Sequence, residues 1–270
     1  MTPTNAELLA IARTIALEAG ALALLRRTEG VEVAASKSST EDIVTFADRE
    51  TEALIRRRLK ELRPNDGFLG EESGAEPGSS GLTWVVDPID GTVNFFYGIP
   101  LWAVSIAVVE GKPDPATWTA RAGVVLNPTS GELFSATAGG GAFLGDDPLH
   151  VSAAVSLDQA LVGTGFSYRA ALRTQQASVV VGLISEVRDI RRMGSAALDL
   201  CAVACGRLDA YYERELNPWD QAAGALIAVE AGGIVTGING ARAGKAFLLA
   251  AEPELAKVLH SALSEIGAFA

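Results

Sequence analysis

The chain has 270 residues, of which 49% are hydrophobic and 20% are charged, and 33 acidic against 22 basic side chains give it a net charge of −11. This composition predicts a folded globular protein and excludes a disordered one. An acidic surface also argues against nucleic acid or anionic lipid as the main partner, because binding either normally needs clustered Lys and Arg.

The sequence shows no clear targeting signal and no cysteine pattern typical of a metal site. No stretch approaches the roughly 18 uninterrupted apolar residues of a membrane span, and the N-terminus lacks the pattern of a secretory signal. We therefore expect a cytoplasmic protein with no membrane segment. Cys201 and Cys205 stand in an apolar run without a nearby His, which favours core packing over a zinc site.

Two helices are predicted first. Thr4 and Glu7 form a capping box at the start of a helix that Gly30 ends. The second helix begins near Asp48 and stops before Pro64, whose ring cannot continue it.

Helical periodicity predicts which positions face the core. These positions are Leu8, Ile11, Ile15, Ala19, Leu22 and Leu25 in the first helix, and Leu54, Ile55, Leu59 and Leu62 in the second. Glu52 and Arg56 are expected to point outward, since an acid four residues before a base is a favourable surface pair.

Strands dominate the next stretch, and strands and helices mix after the glycines at 139–141. The predicted strands are 68–69, 83–86, 103–109, 123–126, 132–135, 160–163, 208–212, 234–236 and 246–250, and the later helices are 172–187, 195–205, 221–231 and one from residue 252 onward. This mixture predicts an α/β protein with layered sheets. We place a boundary near residue 145, between halves 1–145 and 146–270 that share one site.

The most informative segment reads DPIDGT, in which an apolar run ends in two carboxylates, Asp87 and Asp90. With the backbone carbonyl of Ile89 they offer the hard oxygen ligands that Mg²⁺ prefers. Gly91 lets another group approach the backbone, and the amides around Thr92 can open a helix N-terminus, which suits phosphate. Taken alone, the same residues also fit an ordinary Asp-Gly turn with a capping Asp.

Two further acidic residues stand at comparable places. Glu71 follows a short strand in the sequence GEES, and Asp220 follows Trp219 near the start of an apolar helix. Each alone fits a solvated loop charge or a helix cap, but their coincidence with Asp87 and Asp90 favours one acidic cluster. Clustered carboxylates repel one another unless cations intervene. Two Mg²⁺ ions about 3.5–4 Å apart would satisfy them and turn the pocket into an acceptor for an anion.

At these residues the sequence resembles the inositol monophosphatase family, within the lithium-sensitive, metal-dependent phosphatases. The motifs are GEES at 70–73, DPIDGT at 87–92, WD at 219–220 with AAG at 222–224, and EAGG at 230–233, and residues 37–39 and 42–48 look like the family's N-terminal element. The resemblance implies a fold of the inositol monophosphatase and fructose-1,6-bisphosphatase type, an αβαβα sandwich, and a homodimer. Most metal ligands would lie in the N-terminal half.

The resemblance also implies the metal ligands and the catalytic residues. Glu71, Asp87 and the Ile89 carbonyl would hold the first Mg²⁺, and Asp87, Asp90 and Asp220 the second, while a third, weaker ion would depend on Glu71. Thr92 and Asp48 would orient and deprotonate the attacking water, and the Gly91 and Thr92 amides would bind phosphate. From the residues alone, N-capping at the start of the second helix is the default explanation of Asp48, and its catalytic role is implied by the resemblance only.

The resemblance places the alcohol of the substrate beside residues of the C-terminal half. Ser195, Ala196 and Glu213, together with Asp90, would face it, and Glu213 would accept hydrogen bonds from ring hydroxyls. A surface glutamate at a strand end is the alternative for Glu213. Residues 74–81, rich in Gly and Ser, predict a mobile loop.

The expected activity is Mg²⁺-dependent hydrolysis of a small phosphorylated polyol, with myo-inositol monophosphate as the leading substrate. Histidinol phosphate, fructose 1,6-bisphosphate or a nucleotide phosphate would need the same metal chemistry and a different alcohol pocket. A binding protein that keeps the fold without catalysis is a further alternative. It predicts a lost metal ligand or a replaced Thr92, and neither change is present.

Overall fold

The computed structural model describes residues 3–31, 33–36 and 43–269. The predicted N-terminal element lies partly outside these ranges, since residues 37–42 are not among them. Within them the helices are α1 (Asn5–Glu29), α2 (Phe46–Leu62), α3 (Thr92–Tyr97), α4 (Ala170–Leu183), α5 (Ala196–Ala204), α6 (Pro218–Glu230) and α7 (Pro253–Glu265).

The strands form three sheets. They are β1 (Val33–Ser36), β2 (Ile43–Thr45), β3 (Gly67–Gly70), β4 (Gly74–Glu76), β5 (Leu82–Asp90), β6 (Ala103–Glu110), β7 (Thr119–Asn127), β8 (Glu132–Thr137), β9 (Gly141–Leu144), β10 (Asp147–Pro148), β11 (Leu161–Thr164), β12 (Asp189–Arg191), β13 (Ala210–Glu213), β14 (Ile234–Thr236) and β15 (Leu248–Ala251). The large sheet has the order β10-β9-β8-β7-β6-β5-β3-β4, the second has the order β12-β11-β13-β15-β14, and β1 pairs with β2.

Alternation along β5 shows how the large sheet separates two hydrophobic cores. Trp84 and Val86 face a core shared with α1 and α2, whereas Val85 faces a core shared with α5 and α6. Successive side chains of a strand point to opposite faces, so a strand that is covered on both sides reads as a continuous apolar run. This explains why the segment shows no polar alternation.

Five layers result. The other side of α5 packs on the second sheet through Leu200 and Val203, and α4 and α7 cover that sheet's outer face through residues such as Leu183 and Leu259. The order is α1/α2, large sheet, α5/α6, second sheet, α4/α7. The expected αβαβα sandwich is confirmed, while the division into halves at residue 145 remains a prediction.

α1 alone among the described helices is long and apolar enough to cross a membrane, as judged by length and composition only. A core helix of a soluble protein passes the same test. Leu8, Ala12 and Ile15 on this helix are fully buried in the core beneath the large sheet. The absence of a membrane segment remains a prediction.

Several local predictions need correction. Leu25 and Leu62, predicted to face the core, lie near the C-terminal ends of α1 and α2 and are 49% and 46% exposed. Glu52, predicted to point outward, is only 2% exposed. The predicted loop at 74–81 begins with β4, whose residues pair with β3.

Candidate active site

One deep pocket lies where β5 ends and where three helices begin. Six carboxyl groups line it: Glu71, Asp87, Asp90, Asp199, Glu213 and Asp220. Residues at the N-terminal ends of α3, α5 and α6 line it as well, including Thr92, Ser195 and Asn217. Helix N-termini carry partial positive charge, so they can attract an anion although the protein as a whole is acidic.

The two carboxylates of DPIDGT occupy the end of β5. The pairing of β5 with β6 shifts register between Asp87 and Asp90, and both residues line the pocket. Asp87 Oδ1 accepts a hydrogen bond from the Ile89 amide at 3.0 Å. Burial, followed by repulsion from Glu71, Asp90 and Asp220, raises the pKa of Asp87 well above its usual range.

Asp90 links the end of β5 to the start of α5 through hydrogen bonds. Its Oδ2 accepts hydrogen bonds from Ser195 Oγ at 2.5 Å and from the Ala197 amide at 2.7 Å, at the first turn of α5. Burial raises the pKa of Asp90 to about 6, although the hydrogen bonds from Ser195, Ala197 and the Ala196 backbone oppose that rise. The carboxylate therefore also stabilises the start of α5.

Glu71 and Asp220 approach this pair from different elements. Glu71 stands in the turn between β3 and β4, and its amide donates to the Val86 carbonyl at 3.2 Å. Asp220 lies in the first turn of α6, where its Oδ2 accepts from the Asn217 amide at 2.7 Å. Burial and repulsion from Asp90 and Glu71 raise the pKa of Asp220 well above its usual range. Asp220 is therefore both the acidic partner in the capping box of α6, whose N-cap is Asn217, and part of the pocket lining.

Asp48 does not line the pocket but is buried against Thr92, which does. Asp48 Oδ2 accepts from the Thr45 amide at 2.8 Å and from Thr45 Oγ1 at 2.5 Å, so Asp48 is the acidic partner in a capping box whose N-cap is Thr45. The other oxygen, Oδ1, accepts from Thr92 Oγ1 at 3.1 Å. Burial raises the pKa of Asp48 to about 6. One carboxylate thus caps α2 with one oxygen and contacts the pocket residue with the other.

Gly91 has a backbone that only glycine adopts easily, with φ of +95°. A Cβ at this position would also lie 3.1 Å from the Gly194 and Leu101 carbonyl oxygens. The chain therefore turns sharply here from β5 into α3, and the first amides of α3 have no acceptor within the helix.

The predicted alcohol-facing residues of the later part of the chain also line the pocket. Ser195, Ala196 and Glu213 all line the pocket. Tyr211 donates a hydrogen bond to the Glu213 carboxylate, while burial raises the pKa of Glu213 to about 7. A Cβ on Gly165 would collide with that carboxylate, so Glu213 needs a glycine opposite it. Glu213 is therefore a pocket residue and not a surface glutamate.

Asp199 was not predicted. It is 1% exposed, lines the pocket from α5, and its Oδ1 has no hydrogen-bond partner among the described residues. Burial and repulsion from Glu213 and Asp90 raise its pKa well above the usual range. A single acidic residue in the apolar run of α5 was the sequence signal that could have found it.

The donor set fits magnesium in its chemistry. The groups are hard oxygens, and burial, followed by repulsion from neighbouring carboxylates, raises the pKa values of Asp87 and Asp220. A cation would relieve that repulsion. Across the part of the chain that is described, no three His, Cys, Asp or Glu side chains come close enough together to hold an ion by themselves. Mg²⁺ usually keeps several waters and takes one or two carboxylates from the protein. The pocket carboxylates therefore suit an Mg²⁺ ion that keeps some of its waters, although they do not supply a complete coordination shell by themselves.

Layered α/β architecture and a deep, carboxylate-lined pocket at strand and helix ends place the protein among the α/β enzymes. A model of the inositol monophosphatase family matches residues 4–268. An inositol-1-monophosphatase of Mycobacterium leprae is 45% identical over 98% of this chain and 96% of its own length. The chain belongs to the inositol monophosphatase family, a family of metal-dependent phosphatases.

Solved structures agree with this assignment. The SuhB protein of Mycobacterium tuberculosis has a TM-score of 0.82 and 43% identity, with 99% of each chain covered. A second neighbour, inositol monophosphatase II of Staphylococcus aureus, has been solved bound to inositol monophosphate, with a TM-score of 0.76, 28% identity and coverage of 94% of this chain and 92% of its own. The same enzyme has been solved with 2'AMP bound.

Proposed function

We propose that the protein hydrolyses a small phosphate monoester with the help of Mg²⁺, and that myo-inositol monophosphate is its preferred substrate. The observation that carries this proposal is the pocket itself. Glu71, Asp87, Asp90 and Asp220 line it together with Thr92, and Thr92 is in turn hydrogen-bonded to the buried carboxylate of Asp48. Two to three Mg²⁺ ions, held by those carboxylates and the Ile89 carbonyl, would neutralise their charge, bind the phosphate and make a water more acidic.

The residues of the chain supply orientation and proton transfer. Asp48, with a pKa of about 6, is mostly ionised at neutral pH and accepts the Thr92 hydroxyl proton. Thr92 Oγ1 would take a proton from water as it passes its own to Asp48. The water oxygen then bonds to phosphorus, the ester P–O bond breaks, and the alcohol leaves with a proton from solvent. The first-turn amides at Gly91 and Thr92 would hold the phosphate oxygens.

Glu213 and Asp90 support a polyol as the leaving alcohol. A carboxylate accepts several hydrogen bonds, and both of these carboxylates line the pocket together with Ser195 and Ala196. A nucleotide phosphate is the second candidate, because the Staphylococcus aureus neighbour has been solved with 2'AMP as well as with inositol monophosphate. The homodimer and lithium sensitivity remain predictions from the family resemblance, and the cytoplasmic location remains a prediction from the sequence pattern.

A turnover screen tests the proposal. Inositol, sugar, amino-alcohol and nucleotide phosphates are compared with Mg²⁺, with excess chelator, and after Mg²⁺ is restored. We expect inositol 1-phosphate to have the highest kcat/KM and all turnover to stop on chelation. Turnover that persists in chelator would refute the metal, and a preferred 2'AMP would favour the nucleotide alternative. Ligand binding without hydrolysis of any monoester would indicate a binding protein.

A further inference from the structure

Glu52 is a buried carboxylate that the mechanism above does not use. It lies on α2 with 2% exposure, and each of its oxygens accepts one backbone hydrogen bond. Oε2 accepts from the Glu72 amide and Oε1 from the Ser73 amide, both at 2.8 Å. Hydrogen bonds to a charged acceptor are roughly twice as strong as neutral ones. A buried carboxylate that binds two consecutive amides of one turn holds that turn in place.

The turn that Glu52 holds is the one that carries Glu71. β3 ends at Gly70 and β4 begins at Gly74, and these two residues are paired across the hairpin. Glu71 opens the three-residue connection and lines the pocket, where it raises the pKa of Asp87. The backbone that sets the direction of the Glu71 side chain is therefore anchored from α2.

Gly70 makes this contact possible. A Cβ at Gly70 would lie 2.6 Å from Glu52 Cδ and 2.6 Å from a ring carbon of Phe68, which leaves no room for a side chain. The Gly70 backbone is not in the left-handed region. The glycine is therefore needed for close approach of the Glu52 carboxylate and not for the shape of the turn.

Glu52 and Asp48 are one helical turn apart and share a face of α2. Asp48 contacts Thr92, and Glu52 contacts the turn after Glu71. Because the rise along a helix is fixed at about 1.5 Å per residue, α2 sets the spacing between the two segments. One helix thus presents two buried carboxylates, one to Thr92 and the other to the turn that follows Glu71.

We propose that Glu52 is a positioning residue, which holds the turn through the Glu72 and Ser73 amides so that Glu71 can bind Mg²⁺. The inference rests on the proposed function, since it assigns Glu71 to metal binding. Residues that orient metal ligands typically change metal affinity 10–100-fold when mutated. We expect Glu52 to behave in this way although it touches neither metal nor substrate.

Glu52→Gln is the test variant. The substitution keeps the size of the side chain but leaves only one acceptor oxygen for the Glu72 and Ser73 amides. The NH₂ group of the glutamine would face the second of these amide N–H groups, which is also a donor. Glu50→Gln is the matched control on the same helix, because Glu50 is exposed and pairs with Arg26. We expect the Mg²⁺ dissociation constant from calorimetry, and the Mg²⁺ concentration for half-maximal turnover, to rise about 10–100-fold in Glu52→Gln. At saturating Mg²⁺ kcat should fall by less, and the control should match the wild-type protein.

The outcomes separate the two proposals. A wild-type protein that binds no Mg²⁺ would end both. If the wild-type protein binds Mg²⁺ and the Mg²⁺ affinity of Glu52→Gln is within twofold of the wild-type affinity, the role of Glu52 alone is overturned. This holds even if the variant melts at a lower temperature in chelator. Should the variant fail to fold, hydrogen exchange of the wild-type Glu72 and Ser73 amides decides. We expect slow exchange in the metal-free protein, and exchange at the rate of an open loop would overturn the proposal.

Discussion

Thr92 Oγ1 lies 3.1 Å from Asp48 Oδ1, although the two residues are 44 positions apart in the chain. The same hydroxyl lies 3.1 Å from the Ile89 carbonyl oxygen, and the other Asp48 oxygen is held by Thr45. The start of α2 and the start of α3 are therefore joined through one carboxylate. This junction gives the proposed proton transfer a defined path.

The pair should act as a unit in catalysis. Asp48→Asn removes the base and Thr92→Val removes the hydroxyl, and each should lower kcat on inositol 1-phosphate by roughly 10²–10⁴-fold. The double variant should lose little more than either single variant, because the second change removes a path that the first has already broken. Steady-state kinetics at saturating Mg²⁺ measure this, and losses that multiply would mean that the two residues act separately.

Stability of the metal-free protein should fall as pH rises. Burial raises the pKa of Asp48 and Asp90 to about 6 and that of Glu213 to about 7. Between the unfolded values near 4 and these folded values, the folded state binds more protons than the unfolded state, so the free energy of unfolding decreases with pH. Urea unfolding in chelator at pH 5 and at pH 8 should show the lower midpoint at pH 8.

Two further measurements sharpen that expectation. Mg²⁺ should raise the urea midpoint more at pH 8 than at pH 5, because it binds the ionised carboxylates. Glu213→Gln should flatten the decline between pH 5 and pH 7 by removing one of the shifted groups. A metal-free protein that becomes more stable across this interval would contradict the pKa directions on which the expectation depends.

Asp90→Asn should cost about 10²-fold or more in kcat, by analogy with the loss of one group that stabilises a transition state. The neutral amide cannot contribute a charged ligand, and its NH₂ group would meet the Ala197 amide that now donates to Asp90. Asp114→Asn, in an exposed turn outside the pocket lining, is the control. Near-full turnover by Asp90→Asn would remove this residue from the mechanism.

Glu213→Ala should separate recognition of the alcohol from the chemistry at phosphorus. We expect kcat/KM to fall for inositol 1-phosphate and to change little for an aryl phosphate that offers no ring hydroxyls. Tyr211→Phe, which removes the donor to Glu213 but keeps its carboxylate, should show a smaller loss. An equal fall on both substrates would mean that Glu213 does not read the alcohol.

Local sequence predicted much of this molecule because caps and turns depend on neighbouring residues. The Thr4–Glu7 capping box, the strand before Asp87 and the turn at Gly91 are all present, and the layered α/β class followed from the order of elements. The family resemblance rests on the same short motifs. Each motif lies within a few residues of chain, where backbone preference and hydrogen bonding to adjacent amides decide the structure.

Tertiary structure decided which polar side chains are buried and what they contact. Glu52 has the helical position of a surface residue, and only the β3–β4 turn packing over α2 buries it. In the sequence Asp199 is a single acid in an apolar helix, and only the packing of α5 between the two sheets makes it a pocket residue. Glu213 lines the pocket beside Tyr211, which donates a hydrogen bond to it, and Gly165. Sequence determined the elements because their signals are local. The pocket depends on contacts between segments far apart in the chain, which only the packed layers bring together.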